Sequence, residues 1–122
     1  MRVLIVDGAN VVGSRPNGWW RDRAGAAQRL HHTIAAADLG YDLVVLVLEG
    51  DAKRGQPVGQ DGAIHTVHAS GSGDDAIVEQ VSTRSTRGDD VVVVTADRVL
   101  RERVAAAGGS SVGPSWLLTR TS

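Results

Sequence analysis

Cysteine is absent from the 122 residues, which excludes a disulfide framework, a cysteine-ligated zinc site and a thiol nucleophile together. Phenylalanine is absent too, and one Tyr and three Trp make up the whole aromatic content. No apolar run approaches the roughly 18 residues a membrane helix needs. The chain enters a strand-like run at Arg2 to Val6 without the layout of a signal peptide, so a cytoplasmic protein that stays out of membranes is the expectation. Neither charge dominates: 13 basic and 14 acidic residues leave a net −1, which argues against a general nucleic-acid coat protein. Walker and G-x-G-x-x-G spacings are missing, and Ser70-Gly71-Ser72-Gly73 matches a phosphate loop in composition only, which argues against nucleotide-switch chemistry. There is no internal repeat and no linker.

What is present is the composition of one globular domain spanning residues 1–122, 42% hydrophobic and 22% charged with 15 Gly. A chain of this size buries about two thirds of its unfolded surface, enough for a core without staples. The near-neutral sum hides an uneven distribution. Residues 1–30 hold five Arg against two Asp, residues 31–97 four basic against eleven acidic, and residues 98–122 four Arg against one Glu. Two basic ends enclose an acidic middle.

Val3 to Val6, Leu43 to Leu48 and Val91 to Val94 are apolar without alternation, as strands buried on both faces must be. Ile64 to His68 is a fourth strand, and a short last one falls at Ser111-Val112 or at Trp116 to Leu118. Helical patterns fill residues 22–38, 74–83 and 98–107, the first with Asp22 as its cap and Ala27, Leu30, Ile34 and Ala37 on one stripe. Gly8 to Trp20, Gly50 to Asp61 and Ser70 to Gly73 read as loops. Alternating strands and helices predict an α/β fold of three layers, α/β/α, around a mainly parallel central sheet.

Open parallel sheets bind ligands beyond the carboxyl ends of their strands, where the strand order reverses. Asp7 follows the first strand, Asp97 follows the Val91 run, and Asp74 and Asp75 open the helix after Ile64 to His68. With an assumed order 3-2-1-4-5, all four carboxylates approach one another. Several carboxylates at close quarters stay ionised only with a compensating cation, and an all-oxygen set suits Mg²⁺ or Mn²⁺. Such an ion serves phosphodiester or phosphoanhydride hydrolysis. Asp97 and the Ser72/Asp75 pair also read as helix caps. Asp7, at the end of a buried strand, is harder to explain without a partner. Asn10, three positions later, reads either as a turn residue or as support for that carboxylate or a metal-bound water. Glu49 ends the second strand at the same sheet edge, and His31, His32, His65 and His68 read as solvated.

Taken together, Val6-Asp7-Gly8-Ala9-Asn10, Gly73-Asp74-Asp75 and Val93-Val94-Thr95-Ala96-Asp97-Arg98 resemble the motifs of the NYN group of PIN-like metal-dependent ribonucleases, its YacP-like branch above all. The resemblance spans nearly the whole chain. It implies a PIN-like fold, a Mg²⁺ or Mn²⁺ site and RNA hydrolysis, with Asp7, Asn10, Asp74, Asp75 and Asp97 as the site and the four aspartates as metal ligands. Arg101 stands where some members carry a further carboxylate, which leaves the number of metals open. The expected partner is single-stranded RNA, with a homodimer also held open. Its phosphates and bases would meet Arg15, Trp19, Arg21, Arg23, Arg98 and Arg101, because these basic and aromatic residues follow soon after the acidic motifs. A phosphohydrolase of free nucleotides and a non-catalytic RNA-binding or interaction module are the rival readings.

Overall fold

Unbroken runs of Val, Leu and Ile form the centre of a six-stranded sheet, because only a strand covered on both faces can bury every side chain of such a run. The computed structural model describes residues 1–15 and 18–121. Its strands are β1 (Arg2–Asp7), β2 (Leu43–Leu48), β3 (Gly59–Asp61), β4 (Ile64–His68), β5 (Asp90–Val94) and β6 (Ser110–Val112). The helices are α1 (Gly8–Gly13), α2 (Arg23–Ala35), α3 (Gly73–Thr86), α4 (Arg98–Ala106) and α5 (Pro114–Thr121). The order is β3-β4-β2-β1-β5-β6, parallel throughout except where β3 runs against β4. Without β3 this is the assumed order 3-2-1-4-5.

Side chains alternate across the sheet and so divide the core in two. Leu4, Val6, Leu46 and Leu48 pack with Val11, Ala27, Leu30, Ile34 and Leu117 from α1, α2 and α5. Val3, Ile5, Val45, Val47 and Val93 pack on the opposite face with Ile77 and Val81 of α3 and Leu100 and Val104 of α4. Helices therefore cover both faces, giving the expected three layers. From β1 the chain turns through α2 to β2 on one side, whereas β5 leads through α4 to β6 on the other. The strand order reverses between β1 and β5, and that boundary is where a crevice opens in such sheets.

Several expectations need correction. The loop expected over Gly8 to Trp20 begins with α1 and ends in a 3-10 turn at Trp19–Arg21. The loop expected over Gly50 to Asp61 holds a 3-10 turn at Gly50–Gly55 and the edge strand β3. Of the two candidate last strands, Ser110–Val112 is the strand and Trp116 to Leu118 lies within α5. His31 is not solvated but buried on the inner side of α2, with Nε2 3.8 Å from the Asp61 carboxylate of β3.

Candidate active site

The site is built around Asp7, the last residue of β1 and the N-cap of α1. Only 6% of it is exposed. Its Oδ2 accepts a hydrogen bond from the Thr95 hydroxyl at 3.0 Å and its Oδ1 accepts one from the Asn10 backbone N–H at 3.3 Å. The next residue has to be glycine, since a Cβ at Gly8 would stand 2.7 Å from the Val47 carbonyl oxygen and 2.9 Å from Leu48 Cδ2. The chain therefore turns tightly over the end of β2 and leaves the Asp7 carboxylate at the sheet edge.

Thr95, fully buried just beyond β5, ties two acidic segments together. Its hydroxyl donates to Asp7 and accepts from the Asp97 backbone N–H at 3.2 Å. Asp97 caps α4, its Oδ1 accepting from Leu100 N at 3.1 Å. Asn10 adds a second tie, with its side-chain Oδ1 accepting from Ala96 N at 2.9 Å. Its amide thus staples α1 to the segment after β5, and it is the Asn10 backbone that serves Asp7. Ser72 caps α3 by accepting from Asp74 N at 3.1 Å. Glu49, at the end of β2, holds the start of α3 by accepting from Gly73 N at 3.0 Å.

Electrostatics show which of these groups share one field. Burial pushes the Asp7 carboxyl from 3.8 up to about 6; the bonds from Thr95 and Asn10 oppose this, while the charges of Asp74 and Glu49 add to it. Asp74 is raised as well, first by burial and then by Asp97 and Glu49, with Arg103 acting the other way. Asp74 and Glu49 therefore act on Asp7, and Asp97, Glu49 and, least, Asp75 act on Asp74, so Asp74 links the acids of the crevice. Asp75 is turned aside: its Oδ1 lies 2.9 Å from Arg103 Nη2 of α4, and its side chain is 74% exposed. Among the described residues, no group of three or more His, Asp or Glu side chains is arranged to hold a metal ion as it stands.

The basic and aromatic residues separate into distinct places. Trp19 and Trp20 meet edge to face at 6.2 Å, with the Arg23 guanidinium 5.1 Å from the Trp19 ring and Arg21 5.8 Å from that of Trp20. Arg23 and Trp19 line a cavity that also takes in Gly8, Ala9 and Glu49, which sets them beside the acidic crevice. Arg15 lines a different groove, between α1, α2 and α5, together with Arg29. Arg101 donates from Nε to Ser111 Oγ at 3.0 Å, bracing α4 on β6, and Arg98 is exposed at the start of α4. Positions 16 and 17 of the expected basic segment lie outside the described residues. Sequence reasoning passed over Thr95 and Arg103. A buried hydroxyl between an apolar strand and Asp97 was the available signal for Thr95; nothing local marks Arg103, whose partner lies 28 positions away.

Fold and site together define an α/β/α protein with an acidic crevice at the switch point of a mostly parallel sheet. Two crystal structures of Rae1 (YacP) from Bacillus subtilis share this fold. One superposes with a TM-score of 0.76 at 18% identity, over 99% of this chain and 74% of that one. The other, a tryptophan-to-leucine mutant, gives 0.74 at 16% identity over 98% and 73%. At such identity the likeness is one of fold. No protein-family model and no curated protein sequence matches the chain. Among the described residues, no helix is long and apolar enough to cross a membrane.

Proposed function

We propose that this chain is a metal-dependent ribonuclease, cleaving RNA phosphodiester bonds in the crevice between β1 and β5. The observation that carries the reading is Asp7: a buried carboxylate at the switch point, held by Thr95 and Asn10 and pushed upward by burial and by two neighbouring acids. An ionisable group in that place is costly unless something positive offsets it. The fold shared with a protein of the YacP name agrees with the resemblance carried by the three acidic motifs.

The donors fit a hard cation in kind, being carboxylate oxygens without sulfur or imidazole. Among the described residues no three of them are grouped as a ready-made site, so a Mg²⁺ or Mn²⁺ ion here would be held by one or two of the acids directly and by the others through its waters. Asp7, Asp74 and Asp97 are the residues assigned to hold it, and Asp75, occupied by Arg103, is left out of the set. When bound, the ion would supply an activated water and charge stabilisation for the phosphoryl group. Thr95 and Asn10 fix the Asp7 carboxylate, and Glu49 fixes the start of α3, so three separate chain segments keep their acids at one edge. Arg23 and Arg98 would attract the strand's phosphates.

The test is a panel of labelled single-stranded RNA, duplex RNA, DNA and nucleoside triphosphates, each with Mg²⁺, Mn²⁺ or EDTA. Cleavage of single-stranded RNA with either metal and none in EDTA is expected. Triphosphate hydrolysis as fast as RNA cleavage would replace the reading with a nucleotide phosphohydrolase, and RNA binding without turnover would replace it with a binding module.

A further inference from the structure

Beside the acidic crevice lies a cavity of about 320 Å³ whose place and lining differ from those of the metal-holding acids. Ala9, Val12, Leu48 and Ala52 give it apolar walls, and Glu49 and the stacked pair Trp19 and Arg23 also line it. Such a mixture, mostly apolar with a few polar groups, is that of a small-ligand site and not of a solvent channel.

We propose that this cavity receives one nucleobase of the RNA strand and selects bases that carry an exocyclic amine. The proposal rests on the nuclease reading for the strand's presence and adds what that reading lacks, a source of base preference. Three observations support it. Position is the first: Gly8 and Ala9 follow Asp7 directly, so a base seated here belongs to a nucleotide at the cleavage site. Charge is the second, because Arg23 offers a cation to the phosphate or sugar edge while Glu49 offers only an acceptor to the base. The third is the state of the Glu49 carboxylate. Its Oε2 accepts from the Gly73 N–H, which fixes the group at the cavity wall, and no other hydrogen bond is given to this carboxylate among the described residues. Carboxylates accept from the amino groups of cytosine, adenine and guanine, and unstacked bases are read in this way on their pairing edge between apolar walls. Uracil offers only its ring N3–H, flanked by two carbonyl oxygens that a carboxylate repels, and fits less well.

An NMR titration of the full chain with AMP, CMP, GMP and UMP in EDTA, run beside an RNA cleavage assay, tests this. The expected result is shifts clustered at Ala9, Gly50, Gly71 and the Trp19 indole N–H, with UMP at least about tenfold weaker than the other three. Ala52→Phe fills the cavity and should abolish these shifts, while Glu49→Gln, whose amide can both donate and accept, should erase the discrimination against UMP. Equal response to all four nucleotides, no response at these positions, or wild-type binding by folded Ala52→Phe would overturn the proposal. If RNA is cleaved but no nucleotide enters the cavity, the base pocket fails and the nuclease reading stands. If nucleotides bind as expected without cleavage, the pocket stands and the nuclease reading fails.

Discussion

Asp7 is where structure and chemistry compete most openly. A carboxyl raised from 3.8 to about 6 by burial contributes stability below its unfolded value, and that contribution is lost as pH rises through about 6. A shift of this size corresponds to about 3 kcal/mol against the folded state at pH 8. Asn is an equally good cap and carries no charge. Asp7→Asn should therefore be more stable than the wild type at pH 8, by about 1–3 kcal/mol in urea unfolding, and no more stable near pH 4. The same stability difference at both pH values would show that the buried charge costs nothing. Thr95→Val removes the hydroxyl that favours ionised Asp7, so NMR titration of the variant should place the Asp7 carboxyl above about 6. An unchanged or lower value would mean that the hydroxyl does not hold the charge. Asp7 could be read from the sequence because a charge ending an apolar run is conspicuous. The sequence leaves Asn10 open between a turn role and support of Asp7 or a metal-bound water, and its side chain instead accepts from a backbone N–H 86 positions away, a contact no local pattern displays.

Elements are legible in the sequence where burial is strong and hidden where pairing or packing supplies the order. β1, β2 and β5 are apolar runs that have only one place to go. β3 contains no apolar residue, is exposed throughout and exists because Gly59–Asp61 can pair with β4 across a short turn. α1 is six residues long, too short to show a helical period, and is fixed by its cap at Asp7 and by Val11 in the core. α5 misled because Trp116-Leu117-Leu118 is a short apolar run of the kind that periodicity cannot assign, although Pro114 at its start is a helix signal. The seating of α1 on the sheet makes a sharp contrast between two glycines. Gly8→Ala would force a Cβ against the Val47 carbonyl and should cost about 1–3 kcal/mol. Gly13→Ala meets only Trp19, at 3.5 Å, and should be neutral or slightly stabilising. Comparable denaturant midpoints for the two variants would refute the close approach at Gly8.

Across the molecule, the basic ends of the sequence divide: Arg2 and Arg120 stack on the Tyr41–Trp116 pair, Arg15 and Arg29 line the groove between α1, α2 and α5, and fewer stand near the acids. Arg23 stands by the cavity and Arg98 at the opening of α4, whereas Arg15 and Arg101 are committed elsewhere. In an Asp97→Asn background, Arg23→Ala and Arg98→Ala should each weaken single-stranded RNA binding and reduce its salt slope by about 1. Arg15→Ala should do so less, and an equal loss from all three would place the strand across α1 as well. What unites the site, the fold and the proposed activity is Asp7, buried at the switch point among neighbouring acids. The decisive experiment is the single-turnover cleavage rate of labelled single-stranded RNA by wild type and by folded Asp7→Asn in the same Mn²⁺ buffer. The wild type should cleave, and the variant, with its melting temperature retained or raised, should be slower by about 10²–10³-fold, the size expected when one preorganised electrostatic group at the reacting centre is lost. Equal rates in the two proteins, or a wild type inert with both Mn²⁺ and Mg²⁺, would contradict it.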